Sequence, residues 1–149
     1  QLAVGDRDGE ISFFTSHELN VDHRAYRPEK YEREIKVGSV RVDEYLRSRA
    51  VGSVDLIKMD IQGFELQALQ GMTDTIARHR GIVLISEFWP YGLRVAGSSA
   101  LAYFEALKSL GLNVYLAGKD LVPLTEQIVQ QMEKQGKAYF NILATTKSV

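Results

Sequence analysis

Two carboxylates follow directly after apolar runs in the middle of the chain. Asp60 comes after "LIKM", and Glu87 comes after "VLIS". Each run has the composition of a buried strand, and ligands of open parallel α/β sheets bind beyond the carboxyl ends of the strands. If the two strands are neighbours, both carboxylates lie at the same edge of the sheet. The spacing therefore indicates a polar cleft, but it does not specify a ligand or a reaction.

Gly63 and Glu65 follow Asp60 closely and have both structural and functional interpretations. Gly63 would let the backbone approach closely at the turn from strand to helix. Glu65 would lie in the first helical turn, where the macrodipole favours negative charge. Helix capping explains Asp60 as well as ligand binding does. Glu87 is harder to explain structurally, because a carboxylate buried after four apolar residues costs free energy without a partner.

The elements that must position these residues alternate between strands and helices. The pattern predicts strands at "VDLIKMD" and "IVLISEF", with one helix over 63–79 between them. A loop is predicted at "WPYGLRVAGSS", then a helix at "ALAYFEALKSL", a strand at "NVYLA", a helix capped by Thr125, and a last strand at "AYFNILATT". Continuous apolar strands covered by helices favour an α/β fold with a mostly parallel sheet.

The N-terminal third is predicted to contain a hairpin, a long loop and one more strand. "LAVGDRDGEISFFTS" has the pattern of two strands joined at Asp6 to Gly9, because Asp-Gly favours a hairpin turn. The polar segment 17–34 is a long loop, and such loops are often functional. "IKVGSVRV" is a strand, and Asp43 is expected to cap the helix that follows it.

The central segment resembles a known family. "VDLIKMDIQGFELQALQGM" and "IVLISEFWP" resemble the FkbM-type methyltransferases, in which a strand ends Lys-hydrophobic-Asp, Gly and Glu precede a helix, and the next strand ends in Glu. "LAVGDRDGEISFF" resembles a hairpin of these proteins, "VRVDEYL" resembles their strand-to-helix entry, and "NVDHRAY" resembles an Asp-His-Arg loop of some members. The resemblance spans nearly the whole chain.

The resemblance implies a three-layer Rossmann-like class I methyltransferase fold, in a single domain over residues 1–149. It also implies methyl transfer from S-adenosylmethionine, with an oxygen of a small molecule or sugar as the expected acceptor. The family begins with a strand and a glycine-rich turn that hold the cofactor, but no two glycines here are separated by a single residue. Leu2 to Val4 already have the pattern of a buried strand. We therefore expect an N-terminally truncated domain that binds the cofactor poorly alone.

The resemblance also implies roles for the residues around the two strand ends. Asp60 would position the cofactor's amino group or the acceptor hydroxyl, with Ile61 and Gln62 beside it at the cofactor. Glu87 would supply a second polar contact. His23 is a candidate general base, because unperturbed histidine titrates near neutral pH.

The acceptor is expected to meet Arg24, Glu65, Trp89 and Tyr91. Arg24 could hold an anionic group of the acceptor, and the two aromatic residues could wall its pocket. A solvated His23–Arg24 pair and ordinary aromatic packing under a loop explain the same residues equally well.

Composition narrows the classes of partner. The net charge of −1 gives no general attraction to nucleic acid or to anionic membranes, and no apolar run approaches the ~18 residues of a membrane span. The chain has no cysteine, which fits a reducing compartment, and we expect a cytoplasmic protein. His17, Asp22 and His23 could bind a metal loosely, but we predict no metal site.

Two main hypotheses about function remain open from the sequence, beside a third in which another α/β enzyme binds a different small ligand at the same edge of the sheet. The first is a methyltransferase domain acting on a small-molecule acceptor. The second is a non-catalytic interaction or assembly module that kept the fold and lost the donor site. A missing upstream part would also leave an open sheet edge or uncovered core, and such edges pair with other chains, so we expect a homodimer or an aggregation-prone monomer.

Overall fold

The first of two β-sheets is built from the N-terminal segment. A computed structural model describes residues 1–16 and 23–147. Its three-stranded sheet has the order β1-β3-β2, with β1 at Ala3–Val4, β2 at Gly9–Thr15 and β3 at Arg33–Val40. Strand β1 is parallel to β3, and β2 is antiparallel to it.

The predicted hairpin between β1 and β2 is wrong, because both strands pair with β3. The turn at residues 6–9 is fixed by contacts with the end of β3 instead. The Asp8 carboxylate accepts the backbone N–H of Arg41 at 2.7 Å, and the Ser39 hydroxyl donates to the carbonyl of Arg7 at 3.1 Å. These contacts place β3 between β1 and β2, which would pair with each other in the predicted hairpin.

The second sheet carries the two strands that end in carboxylates. It contains β4 (Leu56–Met59), β5 (Val83–Phe88), β6 (Asn113–Ala117), β7 (Leu121–Pro123) and β8 (Phe140–Thr145), in the order β4-β5-β8-β6-β7. Only β4 and β5 pair in parallel, while the other three pairings are antiparallel. Both sheets are therefore mixed, not mostly parallel as predicted. Apolar runs report burial of both faces of a strand but not its direction. The three-layer Rossmann-like arrangement stays a prediction.

Six helices lie between the strands of the described chain. They are α1 (Val42–Ser48), α2 (Glu65–Gln70), α3 (Thr73–Arg78), α4 (Pro90–Val95), α5 (Ala100–Ser109) and α6 (Glu126–Glu133). Helix α5 packs against α2, α4, α6 and β6, and α1 packs against α3. The predicted loop after β5 instead contains α4, which has proline in its first turn, where its missing N–H costs nothing.

The single helix predicted over 63–79 is two helices, because tertiary contacts interrupt it at Gly71. The Gly71 carbonyl accepts the N–H of Asp43 at 3.0 Å, and a Cβ on Gly71 would lie only 2.0 Å from the carbonyl oxygen of Gly5. Asp43 does not cap its own helix. Its buried carboxylate accepts the N–H groups of Thr75 at 2.8 Å and Asp74 at 3.2 Å, and so caps α3.

The hydrophobic core lies where the second sheet meets the helices. Thr125 caps α6 as predicted, by accepting the N–H of Ile128. None of the helices in residues 1–16 and 23–147 is both long and apolar enough to cross a membrane. The core includes Met59, Leu69, Ile76, Leu84, Phe88, Leu93, Tyr103, Leu107, Val114, Val129 and Ile142.

Candidate active site

The two carboxylates predicted to share an edge of the sheet do so. Strands β4 and β5 are parallel neighbours, and Met59 pairs with Ser86 in their register. Asp60, directly after β4, is therefore level with Glu87, the last residue but one of β5. The two residues lie side by side at the carboxyl edge of the sheet. Glu87 is half-buried there.

The Asp60 carboxylate is fixed by its immediate neighbours while it remains open to solvent. Its Oδ2 is 3.0 Å from the Nζ of Lys58, and its Oδ1 accepts a hydrogen bond from the Gln62 amide at 3.3 Å. The side chain is 47% exposed. An accessible, oriented anion of this kind can bind an amino or hydroxyl group.

The turn after Asp60 has a tightly specified backbone. Gln62 has a φ of 58° and Gly63 a φ of 101°, both in the region that favours glycine. The Tyr26 hydroxyl donates to the carbonyl of Gln62 at 2.8 Å, and the N–H of Ile61 donates to Glu65 Oε1 at 3.1 Å. The turn is thus held from the loop before β3 on one side and from α2 on the other.

Glu65 supports this turn from below and is not open to a substrate. Its side chain is fully buried at the start of α2. Burial raises the pKa of the Glu65 carboxyl, and the negative charge of Asp60 raises it further. The prediction that Glu65 binds substrate is therefore corrected: it positions the backbone of Ile61.

A cavity of about 310 Å³ brings together four of the predicted site residues. His23, Asp60, Ile61 and Gln62 line it, together with apolar side chains that include Phe64. We call it the Asp60 cavity. Asp22, which precedes His23 in the predicted loop motif, lies outside the described residues, as does His17.

The hydrogen bond to His23 defines which of its ring nitrogens carries a proton. The backbone N–H of Ser16 donates to His23 Nδ1 at 3.2 Å. Since a backbone N–H can only donate, Nδ1 must be the acceptor, and Nε2 carries the proton in the neutral ring. His23 is then a donor at Nε2. The general-base role stays a prediction, and it requires Nδ1 to release Ser16.

Three more of the predicted residues lie in a second cavity of about 360 Å³, whereas Glu65 and Glu87 line neither cavity. Arg24, Trp89 and Tyr91 line it together with Lys137, a residue that the sequence did not indicate. We call it the aromatic cleft. The predicted site is thus divided between two cavities. His23 lines one cavity and its chain neighbour Arg24, which forms an isolated β-bridge with Phe14, lines the other.

A buried polar chain lies behind the strand ends. The Tyr103 hydroxyl donates to Ser86 Oγ at 2.9 Å, and that hydroxyl donates to the carbonyl of Glu87 at 2.8 Å. Burial raises the pKa of Tyr103, so this hydroxyl stays protonated and acts as a donor. Sequence patterns carried no signal for this chain of hydrogen bonds, because both hydroxyls lie at positions that are equally typical of ordinary core.

The comparison with protein families decides between the candidate classes of α/β domain. A family model for the methyltransferase FkbM domain matches residues 1–139. The chain belongs to the FkbM methyltransferase family. The resemblance seen in the sequence is thereby confirmed, and membership of the FkbM family implies methyltransferase chemistry with a methyl donor. Comparisons with curated proteins and with solved structures gave no match.

Proposed function

We propose that this FkbM domain takes part in S-adenosylmethionine-dependent O-methylation of a small molecule or sugar. One observation carries the proposal beyond family membership. Asp60 and Glu87 lie at the carboxyl ends of adjacent parallel strands, and Asp60 opens into a cavity that also contains His23 and Ile61. This edge of a sheet is where α/β enzymes bind their ligands.

The residues of the Asp60 cavity fit several groups of S-adenosylmethionine. The Asp60 carboxylate can accept hydrogen bonds from its amino group or ribose hydroxyls, and negative charge at that place favours a cationic ligand. Ile61 and Phe64 offer apolar surface to the adenine ring. When bound, S-adenosylmethionine would supply an electrophilic methyl group, which would bond to the acceptor oxygen as its bond to sulfur breaks and a neutral thioether leaves.

The protein contributes mainly positioning and proton transfer to such a reaction. Asp60 is held by Lys58 and Gln62, so its free lone pairs have a fixed direction. We propose that this carboxylate orients the acceptor hydroxyl and receives its proton, while His23 donates from Nε2. Arg24, Trp89 and Tyr91 would then hold the acceptor in the aromatic cleft.

Calorimetric titration with S-adenosylmethionine tests the proposal. It is performed on the 149-residue chain and on the longest form that its gene encodes. Asp60→Asn keeps the size of the side chain and removes its charge. We therefore expect its affinity for S-adenosylmethionine to be lower by at least about tenfold. Asp120→Asn, in an exposed turn before β7, is the matched control and should bind normally.

Three outcomes of the titration separate the hypotheses. Binding by the longer form alone supports the proposal together with the expected truncation. Unchanged affinity in Asp60→Asn contradicts the role of Asp60. Binding by neither form favours the non-catalytic interaction module.

A further inference from the structure

The aromatic cleft is assembled from three separate parts of the chain. Arg24, Glu29 and Lys30 come from the loop before β3, Trp89 and Tyr91 from the start of α4, and Lys137 from the loop after α6. Segments so distant in sequence converge only in the folded protein. The cleft is therefore a property of the fold, and it lies across the segment 23–26 from the Asp60 cavity.

The aromatic wall of the cleft is held rigidly. Trp89 Nε1 donates to the carbonyl of Lys137 at 3.0 Å, and the Trp89 and Tyr91 rings lie 5.5 Å apart at an angle of 46°. Gly92 leaves room for the indole, since a Cβ there would lie 2.1 Å from a Trp89 ring carbon. A fixed pair of aromatic rings offers a ring of the ligand a largely apolar wall to pack beside.

The cleft is positively charged, in a chain whose net charge is −1. Three of its side chains are cations, Arg24, Lys30 and Lys137, and Glu29 is the single carboxylate among its lining residues in the described chain. The Arg24 guanidinium lies 5.3 Å from the centre of the Trp89 ring, and Lys137 Nζ lies 4.9 Å from that of Tyr91. Cation–π contacts thus hold both positive charges against the aromatic wall.

The two lysines retain their hydrogen-bonding capacity. Neither Lys30 nor Lys137 forms an ion pair with any residue in 1–16 or 23–147. An ammonium group beside an aromatic face and close to a second cation suits an anionic group of a ligand, since charge-assisted hydrogen bonds are the stronger ones.

We propose that the aromatic cleft selects a methyl acceptor that carries an anionic group, a carboxylate or a phosphate, on a ring that packs beside Trp89 and Tyr91. The inference rests on the proposed function, and it adds the chemical class of the acceptor. The Tyr26 hydroxyl, which donates to the carbonyl of Gln62, ties the segment between the cavities to the turn that follows Asp60. An acceptor in the cleft is thereby held next to the proposed donor site.

Trp89 is the single tryptophan of the chain, so its fluorescence reports directly on the cleft. The protein is titrated with glucuronate, with glucose 6-phosphate and with glucose as the neutral match. We expect the Trp89 fluorescence to change and then saturate with at least one anionic sugar. The affinity for glucose should be lower by at least about tenfold. The response to the two anions identifies the carboxylate or the phosphate as the preferred group. Added salt should weaken the anionic titrations, because exposed charges are screened.

Lysine variants test whether the charge of the cleft is responsible. Lys137→Met keeps an apolar stem and should weaken anion binding about tenfold, with Lys30→Met as a second variant. Lys119→Met, at an exposed lysine outside the cleft, should bind as the wild type does. Equal affinity for glucose, no response to any sugar, or unchanged binding in both cleft variants would overturn the inference. Because the titrations contain no S-adenosylmethionine, their result is independent of donor binding. Failure of the proposed function and failure of this inference are therefore distinguishable.

Discussion

Glu65 lies fully buried beneath the turn that carries Asp60. Its Oε1 accepts the N–H of Ile61, whereas its Oε2 has no hydrogen-bond partner in the described part of the chain. A buried carboxylate with one unpartnered oxygen is costly in its charged form. Burial accordingly raises its pKa, and the residue couples the stability of the fold to pH.

The pH dependence of stability follows from this raised pKa. Between the ordinary glutamate pKa of about 4.3 and the raised value, the folded protein holds a proton that the unfolded chain has released. The contribution of Glu65 to stability is therefore complete below that range and is lost as pH rises through it. Glu65→Gln does not titrate. We therefore expect the wild type to lose stability relative to this variant by about 1.4 kcal/mol for each pH unit that separates the folded and unfolded pKa values.

Urea unfolding of both proteins between about pH 4 and about pH 8 measures that difference. Glu126→Gln is the matched control, because Glu126 occupies the first turn of α6 but is exposed. The difference in unfolding free energy between Glu126→Gln and the wild type should not show the same change with pH. If the difference in unfolding free energy between the wild type and Glu65→Gln were the same at every pH, burial would not control the pKa of this carboxyl.

At the same scale, the sequence predicted the residues that follow strand ends and missed those brought in by tertiary packing. Asp60 and Glu87 were predictable, because an apolar run ends at each and parallel neighbours share an edge. Lys137 was not, since it reaches Tyr91 from the loop after α6. The burial of Glu65 could not be predicted either. A glutamate in the first turn of a helix is favoured by the helix dipole, whether its side chain is exposed or, as here, buried under the preceding turn.

At the scale of elements, Gly63 connects the Asp60 turn to α4. A Cβ on Gly63 would lie 2.4 Å from the carbonyl carbon and oxygen of Gly92, and its φ of 101° is unfavourable for other residues. Both obstacles involve backbone, which cannot move aside as a flexible side chain can. Gly92 also contacts the Trp89 ring, so this contact links the Asp60 cavity to the aromatic cleft.

Gly63→Ala should therefore destabilise the fold and disturb α4. We expect a loss of about 3 kcal/mol in unfolding free energy, from backbone strain plus steric overlap, and a shift of the Trp89 emission maximum. Chemical unfolding followed by fluorescence measures both. Gly111→Ala is the control: its φ is 76°, but nothing lies within 4 Å of the added Cβ, so it should lose only about 1 kcal/mol without an emission shift. Equal effects of the two substitutions would mean that the contact with Gly92 is unimportant.

Local patterns predicted the existence of most elements but not how they pair. The apolar runs located β4, β5, β6 and β8, but the antiparallel direction of β8 follows from its path between β5 and β6. The break between α2 and α3 depends on Gly5 and Asp43, which are distant in sequence from Gly71. Helix α4 could have been recognised from proline in its first turn, but its short length left a loop equally reasonable.

At the scale of the whole molecule, the two ends of the five-stranded sheet differ. Strand β7 is short and contains Pro123, which has no N–H to offer a further strand. Strand β4 has β5 as its single strand partner among the described residues, and Leu56 is 58% exposed there. Beside β4 lies an apolar cavity of about 360 Å³, lined by side chains that include Val42, Leu46 and Met72.

We propose that β4 is the edge through which two copies of this chain associate. Unpaired backbone groups beside exposed apolar side chains favour pairing with another strand, and lysines on such an edge oppose it. The charge of Lys58 on β4 is paired with Asp60, whereas a lysine in place of Leu56 would add an unpaired charge. Light scattering over a range of concentrations should therefore show dimers of the wild type and mostly monomers of Leu56→Lys. Val122→Lys places the same charge on β7, where the wild-type residue is 46% exposed, and should leave the dimer intact. A wild type that stays monomeric at all concentrations, or equal loss of dimers in both variants, would place the association elsewhere or exclude it. Selective loss in Leu56→Lys would identify β4 as the edge at which the two copies associate.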